Sequence, residues 1–262
     1  MKKILVISGS SRKNGNSMKL VSMFTSQLER NQYDIEFLNL TDYKLAFCRG
    51  CSACFKNNES FCPLKDDVSI IAEKMKAADG LIFVSPIYGR LISGQMKTLI
   101  DRISYIYHRP AMIAKPAIFL TTADMGYIKE VSRYMQFMIT TMGMRSVGTA
   151  GALSGGLKNS ESYRVDILHK LNKLTIEFEK ELSRTSLPKP NFQELLHFTK
   201  WKMKNKVFKE IYAYDYSYWK EKGWLDSQYY YETEISVWNR FVLSIISKVA
   251  PSILIKKSML NL

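Results

Sequence analysis

The chain has 262 residues, of which 46% are hydrophobic, and its formal net charge is +14 at pH 7. The length suits one domain with an extension or two small domains, and the apolar content is sufficient for a full core. The positive charges are spread along the chain without an arginine-rich arm or a nucleic-acid-binding motif, so we expect a surface that attracts anionic small molecules and no nucleic-acid partner.

Apolar runs alternate with segments of helical period from residue 2 to about residue 185. The predicted strands cover residues 2–8, 33–40, 80–85, 115–122 and 146–153. The predicted helices cover residues 17–30, a segment beginning after Asp66 or Asp67, and residues 94–107, 127–142 and 160–184. Five βα units predict a flavodoxin-like, doubly wound parallel sheet of order 2-1-3-4-5, with the ligand at the carboxyl ends of the strands.

The segment SGSSRKNGNS, residues 8–17, lies between the first predicted strand and helix. Its hydroxyl groups, arginine and asparagine stand at a helix N-terminus, where backbone N–H groups lack helical partners and favour a phosphate. The segment has neither Gly-Lys-Ser/Thr nor the pattern GxGxxG, which excludes a P-loop and a dinucleotide fingerprint. The remaining alternative is a polar turn that merely caps the helix.

All four cysteines lie in the segment CRGCSACFKNNESFC, residues 48–62. Their spacing, C-x2-C-x2-C-x7-C with Pro63 following, shares the first three cysteines, with their two x2 gaps, and the proline of bacterial ferredoxin motifs. Zinc sites more often use two separated C-x2-C pairs, which makes zinc a poorer match. An iron–sulfur cluster, thiols that shape the loop, zinc and a disulfide all stay open as interpretations.

The segment SGSSRKNGNS, together with SPIYGRLISGQMKTLIDR at residues 85–102, resembles the flavodoxin-fold NADPH-dependent FMN reductases. The resemblance covers residues 1 to about 155. It implies that the FMN phosphate is held by Ser10, Ser11, Arg12, Asn16 and Ser17. It implies that the isoalloxazine ring is lined by Pro86, Ile87, Tyr88 and Gly89, with a third ring-side loop that includes Thr122, Asp124 and Gly126.

The resemblance also implies where the chemistry occurs. Flavin accepts hydride at its own N5, so the protein mainly binds, orients and tunes the cofactor. No catalytic side chain is expected, and the three histidines, His108, His169 and His197, lie far apart in the sequence. NAD(P)H or a ferredoxin would supply electrons, and a quinone, another small acceptor or a redox protein would receive them.

Residues 48–62 are similar to the compact cysteine motif of the iron–sulfur flavoproteins within the same family. The resemblance implies a [4Fe-4S] cluster bound by Cys48, Cys51, Cys54 and Cys62. Other relatives keep similar cysteines at this place without a cluster, so the thiol interpretation remains beside it.

Residues 188–262 follow a proline-containing linker and differ in composition from the first 187 residues, which we predict to be the FMN-binding domain. All four tryptophans lie in this mainly helical extension, among basic residues. An aromatic face that packs on the core or on a neighbouring subunit, a single-stranded nucleic-acid site and a membrane-surface helix are three alternatives. We expect the extension to follow a subunit contact and wall the flavin pocket, anchored by Trp219, Trp224 and Tyr229 to Tyr231.

Two apolar stretches could indicate a signal peptide or a membrane helix, but both are too short. The run from Ile4 to Ile7 is shorter than the apolar region of a secretion signal. The stretch 241–255 is interrupted by Lys248 and Pro251 and is shorter than a membrane span. We expect a soluble cytoplasmic protein, without a transmembrane segment, that forms a homo-oligomer (a dimer or tetramer).

These expectations combine into one functional hypothesis, an FMN-dependent oxidoreductase with an iron–sulfur cluster as a possible second centre. The alternatives are a non-enzymatic electron carrier and an interaction module on a flavodoxin-like fold that no longer binds FMN.

Overall fold

Residues 1–28 and 32–259 are described in a computed structural model, which for residues 250–259 describes the backbone alone. Two compact units divide the chain. We call the first the sheet unit, which consists of Met1–Arg49, Asp66–Ser104 and Ala111–Ser186. We call the second the helical unit, which consists of Gly50–Lys65, Tyr105–Pro110 and Leu187–Leu262.

Strands and helices alternate along most of the sheet unit. Its strands are β1 (Lys2–Ser8), β2 (Tyr33–Asn39), β3 (Gly80–Tyr88), β4 (Leu91–Ile92), β5 (Pro116–Ala123) and β6 (Arg145–Leu153). The helices of the two units, in chain order, are α1 (Asn16–Thr25), α2 (Ala53–Lys56), α3 (Val68–Ala77), α4 (Gly94–Arg102), α5 (Tyr105–His108), α6 (Ile128–Thr141), α7 (Ser154–Asn159), α8 (Glu161–Leu182), α9 (Phe192–Val207), α10 (Ala213–Glu221) and α11 (Val237–Met259). Short 3₁₀ turns lie at Leu40–Asp42 and Glu59–Phe61.

The five long strands are parallel and stand in the order β2-β1-β3-β5-β6. Counted without the two-residue β4, this is the predicted order 2-1-3-4-5, so the flavodoxin-like plan is confirmed. The order places β1 and β3 side by side, with Val6 opposite Ile82. In such a sheet the loops after neighbouring strands meet at one edge, which is where a ligand binds.

The core of the sheet unit forms because β1 and β3 are apolar on both faces and helices cover them. Ile4 and Ile7 are fully buried, as a central parallel strand requires. Phe24 of α1 meets Phe178 of α8 edge to face, with ring centroids 6.1 Å apart. Burial of such side chains stabilises the fold by about 1.5–3 kcal/mol each.

Strand β6 has few large side chains because helices approach it closely. A Cβ atom added at Gly151 would overlap the side chain of Ile128 at the start of α6. The absence of a side chain at this position therefore permits the contact between α6 and the sheet. This also explains why residues 146–153 carry only a weak strand signal in the sequence.

Three predicted boundaries differ from the structure. The helix expected over residues 94–107 ends at Arg102, and the separate turn α5 belongs to the helical unit. β3 continues to Tyr88 and turns back through β4, an antiparallel pair that the sequence did not predict. The first helix ends at Thr25, and its predicted end at residue 30 lies outside the described residues.

The helical unit has its own aromatic core. α9 begins with a capping box in which Asn191 and Glu194 bond each other's backbone N–H groups. Behind it, the ring of Trp219 lies 5.4 Å from the ring of Phe198 and 5.3 Å from that of Trp224. These rings exclude water together and provide the apolar burial that this unit needs to fold.

The expectation that Trp219, Trp224 and Tyr229 anchor a subunit contact is wrong, because all three side chains are buried within the helical unit. Large aromatic side chains pack against each other where the chain brings them together. Here the turn after α10 brings its aromatic residues onto Trp219. Across the described part of the chain, no helix combines the length and the apolar character that crossing a membrane requires.

Candidate functional site

The loop between β1 and α1 is held close against the sheet. The N–H of Gly9 donates a hydrogen bond of 2.8 Å to the carbonyl of Val84 in β3. A Cβ atom at Gly9 would lie 2.6 Å from Ser93 Oγ and 2.8 Å from Met96 Cβ, so glycine permits this close approach. The path of the loop is thus determined by the packing of β1 against β3 and α4.

Ser10 and Ser17, two of the predicted phosphate-binding residues, have buried side chains. The Ser10 hydroxyl accepts a hydrogen bond from the N–H of Arg12 and donates one to the Arg12 carbonyl, each at 3.3 Å. This local bonding curls the loop around Ser10. Ser11 and Arg12 stand exposed at the tip, and Asn16 begins the helix.

The N-terminus of α1 is suited to an anion. Gly15 is the N-cap, and among the described residues no side chain caps the helix there. The first turn of α1 contains no acidic residue. Its N–H groups and the helix dipole therefore face an environment of hydroxyl groups and an arginine, which matches the donors that a phosphate requires.

The second loop follows β3 and carries Pro86, Ile87, Tyr88 and Gly89. Gly89 has a φ of +54° and turns the chain back into β4, a conformation that glycine adopts without strain. Tyr88 is 44% exposed, and its hydroxyl accepts a hydrogen bond of 3.4 Å from the Arg12 guanidinium. The ring-side loop and the phosphate loop are thus in contact.

The third loop follows β5 and contains Thr122, Asp124 and Gly126. The hydroxyl groups of Thr122 and Ser17 share a buried hydrogen bond of 2.7 Å. Beyond them the loop is open, since Asp124 is exposed and Met125 is 90% exposed. All three predicted loops therefore converge at the carboxyl edge of the sheet, with a polar, positively charged side and an exposed tyrosine.

This arrangement fits a flavin mononucleotide. Buried hydroxyl groups, an arginine and an uncapped helix N-terminus suit the phosphate, and the backbone of the second loop with the Tyr88 ring suits a flat aromatic group. The carbonyl and N–H groups at the strand ends are polar groups of the kind that can pair with the edge of such a ring. The site is therefore of the kind that binds FMN in the flavodoxin-like fold.

The four cysteines are thiols rather than disulfides. Cys48 belongs to the sheet unit and the other three to the helical unit, where Cys54 lies in α2 and Cys62 follows the 3₁₀ turn. Within the described residues, no group of three or more His, Cys, Asp or Glu side chains lies close enough to hold a metal ion. The residue types themselves suit an iron–sulfur cluster.

A buried polar cluster in the helical unit was missed by the sequence analysis. Asp215 of α10 is 1% exposed and its carboxylate binds both the His108 ring, Nδ1 to Oδ2 at 2.6 Å, and the Arg109 guanidinium. Arg109 also donates to the carbonyl of Cys54 and to Glu59, each at 3.0 Å. Through Arg109, the cluster connects Cys54 and Glu59 of the cysteine segment to Asp215, which lies 161 positions after Cys54.

The environment keeps His108 neutral. Burial lowers the pKa of its imidazole, which outweighs the opposite effect of Asp215, and the neighbouring Lys204 lowers it further. Burial also lowers the pKa of Lys204 to about 8, and its amino group lies 3.4 Å from His108 Nε2. A neutral ring that donates through Nδ1 and accepts at Nε2 satisfies both partners. The sequence carried no signal for this, because His108 and Asp215 are 107 positions apart.

The fold defines the class as a flavodoxin-like protein, and the residues of its three loops suit a flavin with a phosphate. Residues 2–158 match the family model described as NADPH-dependent FMN reductase. The chain therefore belongs to the NADPH-dependent FMN reductase family, on the branch of its iron–sulfur flavoprotein relatives, and it is an oxidoreductase with FMN as its cofactor.

Known proteins similar to the chain include two curated relatives of nearly matching length. An iron–sulfur flavoprotein of Archaeoglobus fulgidus is 27% identical over 227 residues, which covers 85% of this chain and 100% of the relative. An iron–sulfur flavoprotein of Clostridioides difficile is 26% identical over 226 residues, with coverages of 84% and 98%. The solved NAD(P)H:quinone oxidoreductase of Methanothermobacter marburgensis has the same fold, with a TM-score of 0.53, 17% identity and coverages of 68% and 97%.

Proposed function

We propose that the protein takes electrons from NAD(P)H or a ferredoxin and passes them to a quinone, another small acceptor or a redox protein. The observation that carries the proposal is the convergence of the three loops, joined by the Ser17–Thr122 and Arg12–Tyr88 hydrogen bonds. A site assembled from three strand ends holds both ends of one extended ligand. FMN supplies the redox chemistry at its ring when bound.

The protein's own residues have binding and orienting roles in this proposal. Ser10, Ser17 and the N–H groups at the start of α1 hold the phosphate, with Ser11, Arg12 and Asn16 around them. Pro86 to Gly89 line the ring, and Thr122, Asp124 and Gly126 border it. No side chain of these loops is required as an acid or base, so the reaction depends on how the ring is placed and how its open side receives the donor and the acceptor.

We expect the purified, FMN-loaded protein to oxidise NADPH steadily when a soluble quinone is present, with NADH and a reduced ferredoxin compared as donors. The rate should rise with the quinone concentration, and it should fall to background when the FMN is removed. The loss of absorbance at the band of the reduced nicotinamide measures the rate of NADPH or NADH oxidation.

If FMN binds but neither nicotinamide is oxidised, while reduced ferredoxin transfers electrons to the protein without turnover of any small acceptor, the protein is an electron carrier. If FMN does not bind at all, the site assignment is wrong and an interaction role on the flavodoxin-like fold replaces it.

The four cysteines are proposed to bind an iron–sulfur cluster. Their spacing is the first support, and the name shared by the curated relatives is the second. Anaerobic reconstitution should load about four iron atoms per chain if the cluster is [4Fe-4S], and Cys51→Ala should abolish this loading. FMN binding should survive, since its contacts come from other loops. Iron and sulfide analysis with the visible spectrum measures both.

Lys56→Ala is the matched control, because Lys56 is an exposed residue of the same segment without a sulfur ligand. It should load iron as the unchanged protein does. Stoichiometric zinc, or no metal under reconstitution, would show that the thiols have a different role. We propose a cytoplasmic location, since clustered thiols suit a reducing compartment. We also propose that the protein forms a homo-oligomer.

A further inference from the structure

α11 presents an apolar stripe to solvent. Val237, Trp238, Phe241 and Ile245 are 75%, 70%, 57% and 48% exposed. The rings of Trp238 and Phe241 lie 6.1 Å apart and form one patch. Exposed side chains of this size along one helix mark a contact surface, since isolated exposed apolar residues would be scattered instead.

The geometry of the helix separates this stripe from the packed face. At 3.6 residues per turn, the exposed residues span roughly 120° of the helix, counting Val249, which is 51% exposed. Leu243 points to the other side and is 8% exposed, where it lines a cleft between α11 and α9 together with Phe198. α11 thus has two apolar faces. One is buried in the helical unit, and the other is exposed to water.

The charged residues of α11 itself have one sign. The sequence of α11 contains Arg240, Lys248, Lys256 and Lys257 and no aspartate or glutamate. The cleft on the other face of α11 has a volume of about 500 Å³ and is lined by Arg240 and by Lys202 and Lys206 of α9. Burial lowers the pKa of Lys202, and the positive charge of Lys206 lowers it further. Acidic groups are also near, since Asp226 lies 3.6 Å from Lys206 and lines a neighbouring pocket with Glu232, Glu234 and Arg240. The exposed face of α11 itself combines apolar rings with the two cations Arg240 and Lys248.

This combination disfavours two other occupants. A second copy of the chain bound through the stripe by two-fold symmetry would bring Lys248 and Arg240 of both copies together, since the same patch meets itself. A membrane-spanning arrangement is not supported by any helix of the described residues. The exposed rings and the positive charges both fit a membrane surface, which accepts tryptophan and phenylalanine rings at its interface and carries negative charge when it contains anionic lipids.

We propose that the exposed stripe of α11, together with Arg240 and Lys248, binds the surface of a bilayer that contains anionic phospholipids. Trp238 and Phe241 insert at the level of the headgroups, Arg240 and Lys248 pair with the anionic groups, and the apolar stem of Lys248 lies along the stripe. The proposal concerns the helical unit and is independent of the flavin site. Binding of this kind would bring the flavoprotein to the bilayer, in which lipid-soluble electron acceptors dissolve.

The test is co-sedimentation of the full-length, FMN-loaded protein with vesicles of phosphatidylcholine alone or with about one third phosphatidylglycerol. We expect binding to the anionic vesicles at roughly 50 mM salt, at least about tenfold weaker binding to neutral vesicles, and release at roughly 500 mM salt. Phe241→Asp and Lys248→Glu should each weaken binding about tenfold. Tryptophan fluorescence should shift to the blue on binding and lose this shift in Phe241→Asp.

Phe137→Asp is the matched control, because Phe137 of α6 is 59% exposed and receives the same substitution. It should bind vesicles as the unchanged protein does. Equal binding by the unchanged protein and Phe241→Asp, or no binding to anionic vesicles, overturns the proposal. A change from dimer to monomer in Phe241→Asp, with vesicle binding unchanged, would identify the stripe as a contact between copies and would also overturn it.

Discussion

Replacing Asp215 by alanine should lower the free energy of unfolding of the helical unit by about 3–5 kcal/mol. The carboxylate is buried and compensates the equally buried guanidinium of Arg109, and it also holds the His108 ring. Without it, the guanidinium keeps its charge in a site that water hardly enters, and only the partly exposed carboxylate of Glu59 still offsets the desolvation cost. Urea unfolding followed by tryptophan fluorescence measures this unit specifically, because all four tryptophans lie in residues 188–262.

Asp226→Ala is the control for Asp215→Ala. Asp226 is 93% exposed and lies 3.6 Å from Lys206, a surface pair whose loss should change the free energy of unfolding by less than about 1 kcal/mol. Equal unfolding midpoints for Asp215→Ala and the unchanged protein would show that the buried cluster does not stabilise the helical unit.

The second large effect concerns the phosphate loop. Ser10→Asp should weaken FMN binding by about a hundredfold or more, since it places a carboxylate beside a phosphate dianion and removes a hydroxyl donor in a site where Ser10 is 3% exposed. A hundredfold loss corresponds to about 2.7 kcal/mol. Titration by quenching of flavin fluorescence measures the dissociation constant.

Riboflavin, which lacks the phosphate, distinguishes repulsion from damage to the fold. Ser10→Asp should bind riboflavin about as the unchanged protein does, so that the preference for FMN over riboflavin collapses. Ser26→Asp, at the exposed C-terminal end of the same helix, should keep the FMN affinity. If Ser10→Asp binds FMN normally, the phosphate does not lie in this loop.

Much of the fold could be predicted from the chain because its signals are local. The apolar run of β1 and the helical period around Leu20 and Phe24 depend on neighbouring residues only. Alternation of strands and helices then leaves few topologies for a parallel sheet, and the observed order is the expected one. β4 was missed because two residues carry no periodicity, and the break after Arg102 was missed because α4 and α5 have continuous helical propensity.

The candidate site was predictable in part. The hydroxyl residues before the first helix indicate the candidate phosphate loop. The resemblance to the FMN reductases predicted the other two loops. The contacts that join the loops were not predictable, since Ser17 and Thr122 are 105 positions apart and Arg12 and Tyr88 are 76 apart. Their distances are determined by which strands are neighbours, which is a property of the whole sheet.

The sequence alone determined the fold class and the cysteine spacing of this protein and indicated the candidate phosphate loop, because each depends on residue types at short range. Only the tertiary structure decided how the aromatic residues of the extension are used. Trp219 and Trp238 both occur on helices and both have a basic residue nearby, Lys220 and Arg240, yet Trp219 is completely buried and Trp238 is 70% exposed. The difference arises because α9, α10 and the turn after α10 surround one tryptophan, while the described residues that pack against α11 reach only its opposite face.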